Sequence, residues 1–145
     1  MSSLSDFLFS GVLVRHPNLK LAYSEGQIGW IPYILERADD VWHEHRAWGG
    51  VKDIIPEPPS TYWFRQIYGC FFRDVHGLES LHRIGHDNVT FETDYPHTDS
   101  TWPDTRKIFA EQMMPLNNPE LVYKIARGNA IEMLRLDPET GLWRG

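Results

Sequence analysis

The sequence of 145 residues contains a single cysteine, Cys70, which excludes an internal disulfide framework and a multi-cysteine metal site. It also has no apolar run near the roughly 18 residues that a membrane-spanning helix needs, so we expect no membrane partner. Basic residues are few, 14 Lys and Arg against 20 Asp and Glu, which argues against nucleic-acid binding. The first residues lack the basic region of a secretory signal, so we expect a cytoplasmic protein.

Aromatic residues, in contrast, are abundant, with 6 Trp, 6 Tyr and 7 Phe. Together with an overall hydrophobic content of 41%, they can fill a substantial core, which excludes a disordered chain. The length suits one domain. We therefore predict a single domain over residues 1–145.

Three short segments have the pattern of β-strands: residues 19–23, 67–71 and 88–93. In the last of these, Val89, Phe91 and Thr93 alternate with more polar residues. The spacing of apolar residues predicts helices over residues 6–15, 31–47, 76–84, 102–114 and 119–134. Residues 49–60 contain three prolines and are predicted to form an extended loop.

The predicted strands alternate with helices along the chain. This order predicts an α/β fold with parallel strands joined by right-handed crossovers. Three parallel strands are few for an independent sheet, so we expect the chain to form part of a larger one.

Two predicted strands end in polar residues, and functional groups of α/β folds gather at such carboxyl ends. Glu25 follows the first strand, and Asp94 and His97 follow the third, in the sequence TDYPH. A carboxylate beside a histidine suits metal ligation or general-base chemistry. From these residues alone, a turn-capping role for Asp94 before Pro96 is the alternative.

Three segments resemble the C-terminal part of the amidohydrolase-2 family, the branch of metal-dependent (β/α)8 barrels that contains aminocarboxymuconate-semialdehyde decarboxylase and the resorcylate decarboxylases. Residues 14–26 resemble the sixth-strand region and residues 88–97, NVTFETDYPH, the eighth strand. Residues 121–136, with a Gly-Asn-Ala step, are similar to the closing helix. The resemblance implies that the chain is the C-terminal segment of a TIM barrel, about strands six to eight with their helices.

The resemblance also implies a divalent metal, Zn or Mn. Asp94 matches the family carboxylate that binds the metal and orients or deprotonates metal-bound water, and His97 matches a histidine near that site. Glu25 stands where the sixth-strand histidine usually stands, so it is a candidate metal ligand or substrate contact through oxygen. Oxygen ligands favour harder ions. The expected catalytic residues are therefore Asp94 and His97, and the expected metal ligands are Asp94 and Glu25.

Two arginines, Arg65 and Arg73, flank the strand around Cys70. A guanidinium can bind a substrate carboxylate through two parallel hydrogen bonds, so both join Glu25 as candidate substrate-binding residues. Salt bridges to nearby acidic residues are the alternative. Cys70 lies in an apolar strand, which is typical of a small core residue rather than a nucleophile.

The segment His43-Glu44-His45 has the letters of the H-x-H pair that the family carries on its first strand. It falls in a predicted helix, where positions i and i+2 do not share a face, so the two histidines cannot chelate one ion. The family's H-x-H pair and fifth-strand histidine have no counterpart in these residues. We therefore expect weak or no metal binding by the chain alone.

The function implied is that of a metal-dependent hydrolase or non-oxidative decarboxylase acting on a small carboxylated or cyclic substrate, with Asp94 as ligand and proton acceptor. The alternative is a non-catalytic barrel fragment or subunit. Its open sheet edges would be covered in a homo-oligomer or by a partner chain that supplies the rest of the barrel. A carbohydrate- or peptide-binding module built on the tryptophans is less favoured, because core and interface packing explains them.

Overall fold

The computed structural model describes residues 1–145 and contains one three-stranded parallel sheet. The strands are β1 (Leu21–Tyr23), β2 (Ile67–Phe71) and β3 (Val89–Phe91), in the spatial order β1-β2-β3. Both strand pairs are parallel, with Leu21 opposite Ile67 and Gly69 opposite Val89. The predicted parallel α/β arrangement is confirmed.

Nine α-helices connect and flank the strands. They are α1 (Ser2–Phe9), α2 (Val12–Arg15), α3 (Ile31–His45), α4 (Pro59–Gln66), α5 (Val75–Glu79), α6 (Leu81–Ile84), α7 (Thr105–Met113), α8 (Pro119–Tyr123) and α9 (Asn129–Leu134). A 3-10 turn, Met114–Leu116, follows α7, and a π-helical turn, Lys124–Gly128, joins α8 to α9. None of these helices has the length and apolar character needed to traverse a bilayer.

Two predicted helices are each divided in the structure. The helix predicted over residues 6–15 breaks at Gly11, whose φ of 71° belongs to the left-handed region that glycine tolerates. A side chain there would also clash, because its Cβ would lie 2.6 Å from Ile54 Cγ2. The helix predicted over residues 76–84 divides at Ser80 into α5 and α6.

Helix α4 was missed by the sequence analysis, which placed residues 49–60 in a loop and assigned no helix between that loop and β2. Pro59 begins α4, where a missing N–H leaves no hydrogen bond unmade. The buried residues Tyr62, Trp63 and Gln66 then recur at helical spacing. That spacing was the available signal, and it was obscured by the prolines before it.

One face of the sheet forms the hydrophobic core with the helices. Ile67, Phe71 and Val89 belong to a core of 20 buried residues. A Cβ on Gly69 would lie 3.1 Å from the side chains of Ile28 and Ile31, so the absence of a side chain lets this region approach β2 closely. By strand alternation, residues such as Cys70 and Thr90, which pair in the register, face the opposite side.

The closing helix is tied to β3 by the Asn129 of the Gly-Asn-Ala step. Asn129 is 5% exposed, and its Nδ2 donates to the carbonyls of His86 at 2.8 Å and Val89 at 2.7 Å. Asn88 acts similarly between β3 and β2, since its Nδ2 donates to the Ile67 carbonyl at 2.9 Å. These bonds fix β3 and therefore the segment that follows it.

Candidate metal site

The carboxyl ends of the parallel strands bring Glu25, Asp94 and His97 together. One potential ligand atom from each residue lies within 4.8 Å of the other two. Glu25 follows β1, whereas Asp94 and His97 follow β3, and β2 lies between these strands. The sequence analysis named all three residues, and the sheet topology accounts for their proximity.

Asp94 and His97 form a hydrogen-bonded pair. His97 Nδ1 is 2.9 Å from Asp94 Oδ1, and the Asp94 side chain is 13% exposed against 65% for His97. An ionised carboxylate can only accept hydrogen bonds, so this contact assigns the proton to Nδ1. His97 Nε2 then keeps its lone pair for a cation or for a proton.

Both carboxylate-bearing turns have unusual backbone conformations. Glu25 has a φ of 61° and Asp94 a φ of 54°, both in the left-handed region that non-glycine residues seldom occupy. Such conformations cost of order 1–3 kcal/mol each and persist only where the surrounding structure enforces them. After β3, this support includes buried Thr101, whose N–H donates to the Thr93 carbonyl at 3.0 Å.

Asp74, which the sequence analysis did not single out, supports the segment after β1. Its Oδ2 accepts the backbone N–H groups of Ile28 at 2.7 Å and Gly29 at 2.6 Å. Its Oδ1 accepts from Gly77 at 2.8 Å and so caps α5. The sequence contained a signal for the cap, namely an Asp three residues before Gly77 at the start of a predicted helix. It contained no signal for the longer-range bonds to Ile28 and Gly29.

A further carboxylate, that of Glu92, reaches the turn after β1. Glu92 Oε1 accepts the backbone N–H of Glu25 at 2.7 Å. Cys70 on β2 donates from Sγ to the Tyr23 carbonyl at 3.0 Å. Burial, followed by the nearby Glu92 carboxylate, raises the pKa of the Cys70 thiol to about 12. The thiol therefore stays protonated near neutral pH, which fits the expected core role and not a nucleophile.

The two candidate arginines lie at opposite ends of β2. Arg73 is exposed, follows the carboxyl end of β2 and forms no salt bridge. Arg65 lies in the last turn of α4, before β2 begins, and its Nη2 is 3.0 Å from Glu57 Oε2. The structure brings Arg73, and not Arg65, to the end of the sheet that holds the acidic cluster.

The two histidines of the H-x-H segment in α3 do not contribute to the cluster, as expected. His43 packs its ring against Trp42 at 4.9 Å between centroids, and His45 lies 4.8 Å from the Trp48 ring. Neither histidine belongs to the group of potential ligands formed with Asp94.

The chemistry of the cluster suits a divalent cation. Two carboxylates of like charge repel one another when no cation lies between them. Glu25 and Asp94 supply oxygen, and His97 supplies nitrogen, a mixed set that Mn²⁺ and Zn²⁺ both accept. The residues present therefore fit the metal that the family resemblance implies.

A family model described as amidohydrolase (Amidohydro_2) matches residues 1–136. The comparison with curated proteins gave no match.

Several solved structures share the fold. The 5-carboxyvanillate decarboxylase LigW from Sphingomonas paucimobilis has a TM-score of 0.75 at 22% identity, over 94% of this chain and 39% of that one. The amidohydrolase map2389c from Mycobacterium avium subsp. paratuberculosis K-10 has a TM-score of 0.75 at 21% identity, over 90% of this chain and 32% of that one. A dihydroxybenzoic acid decarboxylase from Polaromonas sp. JS666 was solved with bound manganese and the inhibitor 2-nitroresorcinol. It has a TM-score of 0.67 at 22% identity, over 97% of this chain and 41% of that one.

This chain thus spans about a third to two fifths of the length of the proteins that it resembles in structure. Its three parallel strands and their helices correspond to part of a larger (β/α)8 barrel, as the sequence predicted. With the family model matching nearly the whole chain, the protein belongs to the amidohydrolase family Amidohydro_2.

Proposed function

We propose that this chain contributes part of a metal-dependent active site for hydrolysis or non-oxidative decarboxylation of a small carboxylated or cyclic substrate. The observation that supports the proposal is the convergence of Glu25, Asp94 and His97 within 4.8 Å at the carboxyl ends of parallel strands. Barrel enzymes place their catalytic groups at this end. Two of the similar structures are decarboxylases by name, which favours the same class of reaction.

Glu25 and Asp94 would hold the cation through carboxylate oxygens. When bound, a divalent cation polarises a substrate oxygen and lowers the pKa of a coordinated water. Manganese is favoured over zinc because oxygen ligands suit the harder ion. The Polaromonas structure holds manganese, which is consistent with that choice.

The Asp94–His97 pair would move the proton that either reaction requires. In hydrolysis a water must lose a proton, and in decarboxylation the carbon that loses CO₂ must gain one. Because Nδ1–H of His97 is bonded to Asp94 Oδ1, the pair can accept or return a proton at His97 Nε2 or at the carboxylate. Arg73, which follows β2 at the same end of the sheet, would bind the substrate carboxylate through its guanidinium.

A titration with Mn²⁺, followed by water-proton relaxation, tests the metal site. Replacing Asp94 with Asn should weaken Mn²⁺ binding by about tenfold or more, since a ligand charge is lost. The matched control is Asp99→Asn, an exposed carboxylate five residues further along, which should leave the affinity unchanged. Because the chain offers few of the family's ligands, we expect its affinity for Mn²⁺ to be weak but measurable. Absence of binding even at millimolar Mn²⁺, or equal losses in both variants, would contradict the proposed site.

The second candidate function is that of a barrel subunit that is inactive alone. Strands β1 and β3 each pair only with β2, so neither outer edge of the sheet is paired with another strand, and such open edges promote association. We infer that a homo-oligomer or a partner chain completes the barrel around a small-molecule site. A stable compact monomer throughout the micromolar range in sedimentation would argue against this function.

A further inference from the structure

Glu92 lies at the same end of the sheet as the candidate ligands but is not one of them. It comes two residues before Asp94, and its carboxylate accepts the Glu25 N–H at 2.7 Å. Its oxygens lie outside the group of ligand atoms that are within 4.8 Å of one another. The contact is therefore made to the backbone of a candidate ligand rather than to the cluster itself.

The turn that receives this hydrogen bond needs support. Glu25 is exposed and has a left-handed φ of 61°. The hydrogen bond that its N–H donates to Glu92 is the only one between Glu25 and another side chain. The other anchors of the same loop act further along the chain. Trp30 Nε1 donates to the Gly26 carbonyl at 2.7 Å, and Asp74 accepts the N–H of Gly29.

The Glu92 side chain also crosses the central strand. Strands β1 and β3 are not neighbours, so a bond between the segments that follow them must pass over the end of β2. The Glu92 carboxylate thus links the segments that follow β1 and β3.

We propose that Glu92 is a positioning residue for the metal site: by accepting the Glu25 N–H, it holds that turn so that the Glu25 carboxylate faces Asp94 and His97. This inference rests on the proposed function and extends it to a residue that does not touch the cation. Because an ionised acceptor forms a stronger hydrogen bond than a neutral one, a carboxylate suits this role.

Three substitutions separate positioning from a simple effect of charge. Glu92→Ala removes the acceptor, Glu92→Gln keeps an oxygen at the same reach but no charge, and Glu44→Ala removes an exposed carboxylate elsewhere. The first readout is hydrogen exchange of the Glu25 amide in the metal-free chain. The second is Mn²⁺ affinity by water-proton relaxation, measured also in a Glu25→Ala background.

We expect Glu92→Ala to accelerate exchange of the Glu25 amide and to weaken Mn²⁺ binding by about tenfold, in the range typical of residues that orient ligands. Glu92→Gln keeps a weaker, neutral acceptor, so its losses in both properties should be clearly smaller than those of Glu92→Ala, and Glu44→Ala should change neither. In the Glu25→Ala background, Glu92→Ala should have little further effect, because the two residues act through one contact.

Equal losses in Glu92→Ala and Glu92→Gln, or full additivity with Glu25→Ala, would overturn the positioning role while leaving the metal site intact. A wild-type chain that binds no Mn²⁺ would instead overturn the proposed function, and the positioning role would fall with it.

Discussion

The carboxylate of Asp74, after β2, accepts the backbone N–H of Gly29, after β1, at 2.6 Å. A side chain at position 29 would be too close for this contact, because its Cβ would lie 2.9 Å from Asp74 Oδ1. The glycine therefore permits a carboxylate to enter the turn and bind its N–H groups. This relationship fixes the loop that begins with Glu25 relative to the next strand.

Replacing Asp74 with Ala should lower the free energy of unfolding by about 3 kcal/mol, because three N–H groups lose a charged acceptor. Urea denaturation measures the change. Asp6→Ala, an exposed carboxylate with no hydrogen bond or ion pair, is the matched control and should change stability little. A loss below about 1 kcal/mol would mean that water replaces Asp74 as acceptor.

Asn129→Ala should destabilise the fold by about 2–4 kcal/mol, since it leaves the buried Val89 carbonyl and the partly buried His86 carbonyl without their donor. Thermal unfolding with and without this change gives the difference. Asn18→Ala, at an exposed loop position, serves as the control. Equal melting temperatures for the two variants would contradict a structural role for the Gly-Asn-Ala step.

Cys70 should react very slowly with thiol reagents in the folded chain. Its pKa is raised from the ordinary 9.0 to about 12, so the thiolate fraction at pH 8 is lower by about a thousandfold, and burial slows access further. Labelling rates in native buffer and in urea provide the comparison. Folded and unfolded rates within about tenfold of each other would be inconsistent with this environment.

The same raised pKa has a consequence for stability. Above pH 9 the thiol of the unfolded chain loses its proton while that of the folded chain keeps it, so the Cys70 contribution to folding should decline as the pH rises from about 9 to about 12. Cys70→Ser removes this ionisation. The free energy of unfolding of the wild type, minus that of the variant, should therefore decrease as the pH rises over that range. A difference that does not change with pH would contradict the prediction.

Arg73 and Arg65 provide a matched pair for testing the proposed substrate site. With Mn²⁺ present, Arg73→Ala should weaken binding of a dihydroxybenzoate probe by about tenfold or more, the usual loss for a charged hydrogen-bond donor. Arg65→Ala should have no effect, because Arg65 is paired with Glu57 at the other end of β2. Ligand-observed NMR titration measures both. If Arg65→Ala weakened probe binding more than Arg73→Ala, Arg65 rather than Arg73 would be the substrate-binding residue.

Local patterns were sufficient for much of the secondary structure. The strand predicted over residues 67–71 coincides with β2, since its apolar composition reflects burial on both faces. Helix α4 was missed because prolines and aromatics concealed a short helical period, and the break at Gly11 was missed because it depends on the close approach of Ile54.

The sequence by itself determined that strands alternate with helices and that Glu25, Asp94 and His97 follow strands, because alternation, turn residues and polar strand ends are local properties. Only the tertiary structure decided which of these side chains meet. The contacts of Glu92 with Glu25 and of Asp74 with Gly29 join residues 67 and 45 positions apart. No local period encodes such pairs, since they arise only when parallel crossovers place the ends of β1, β2 and β3 side by side.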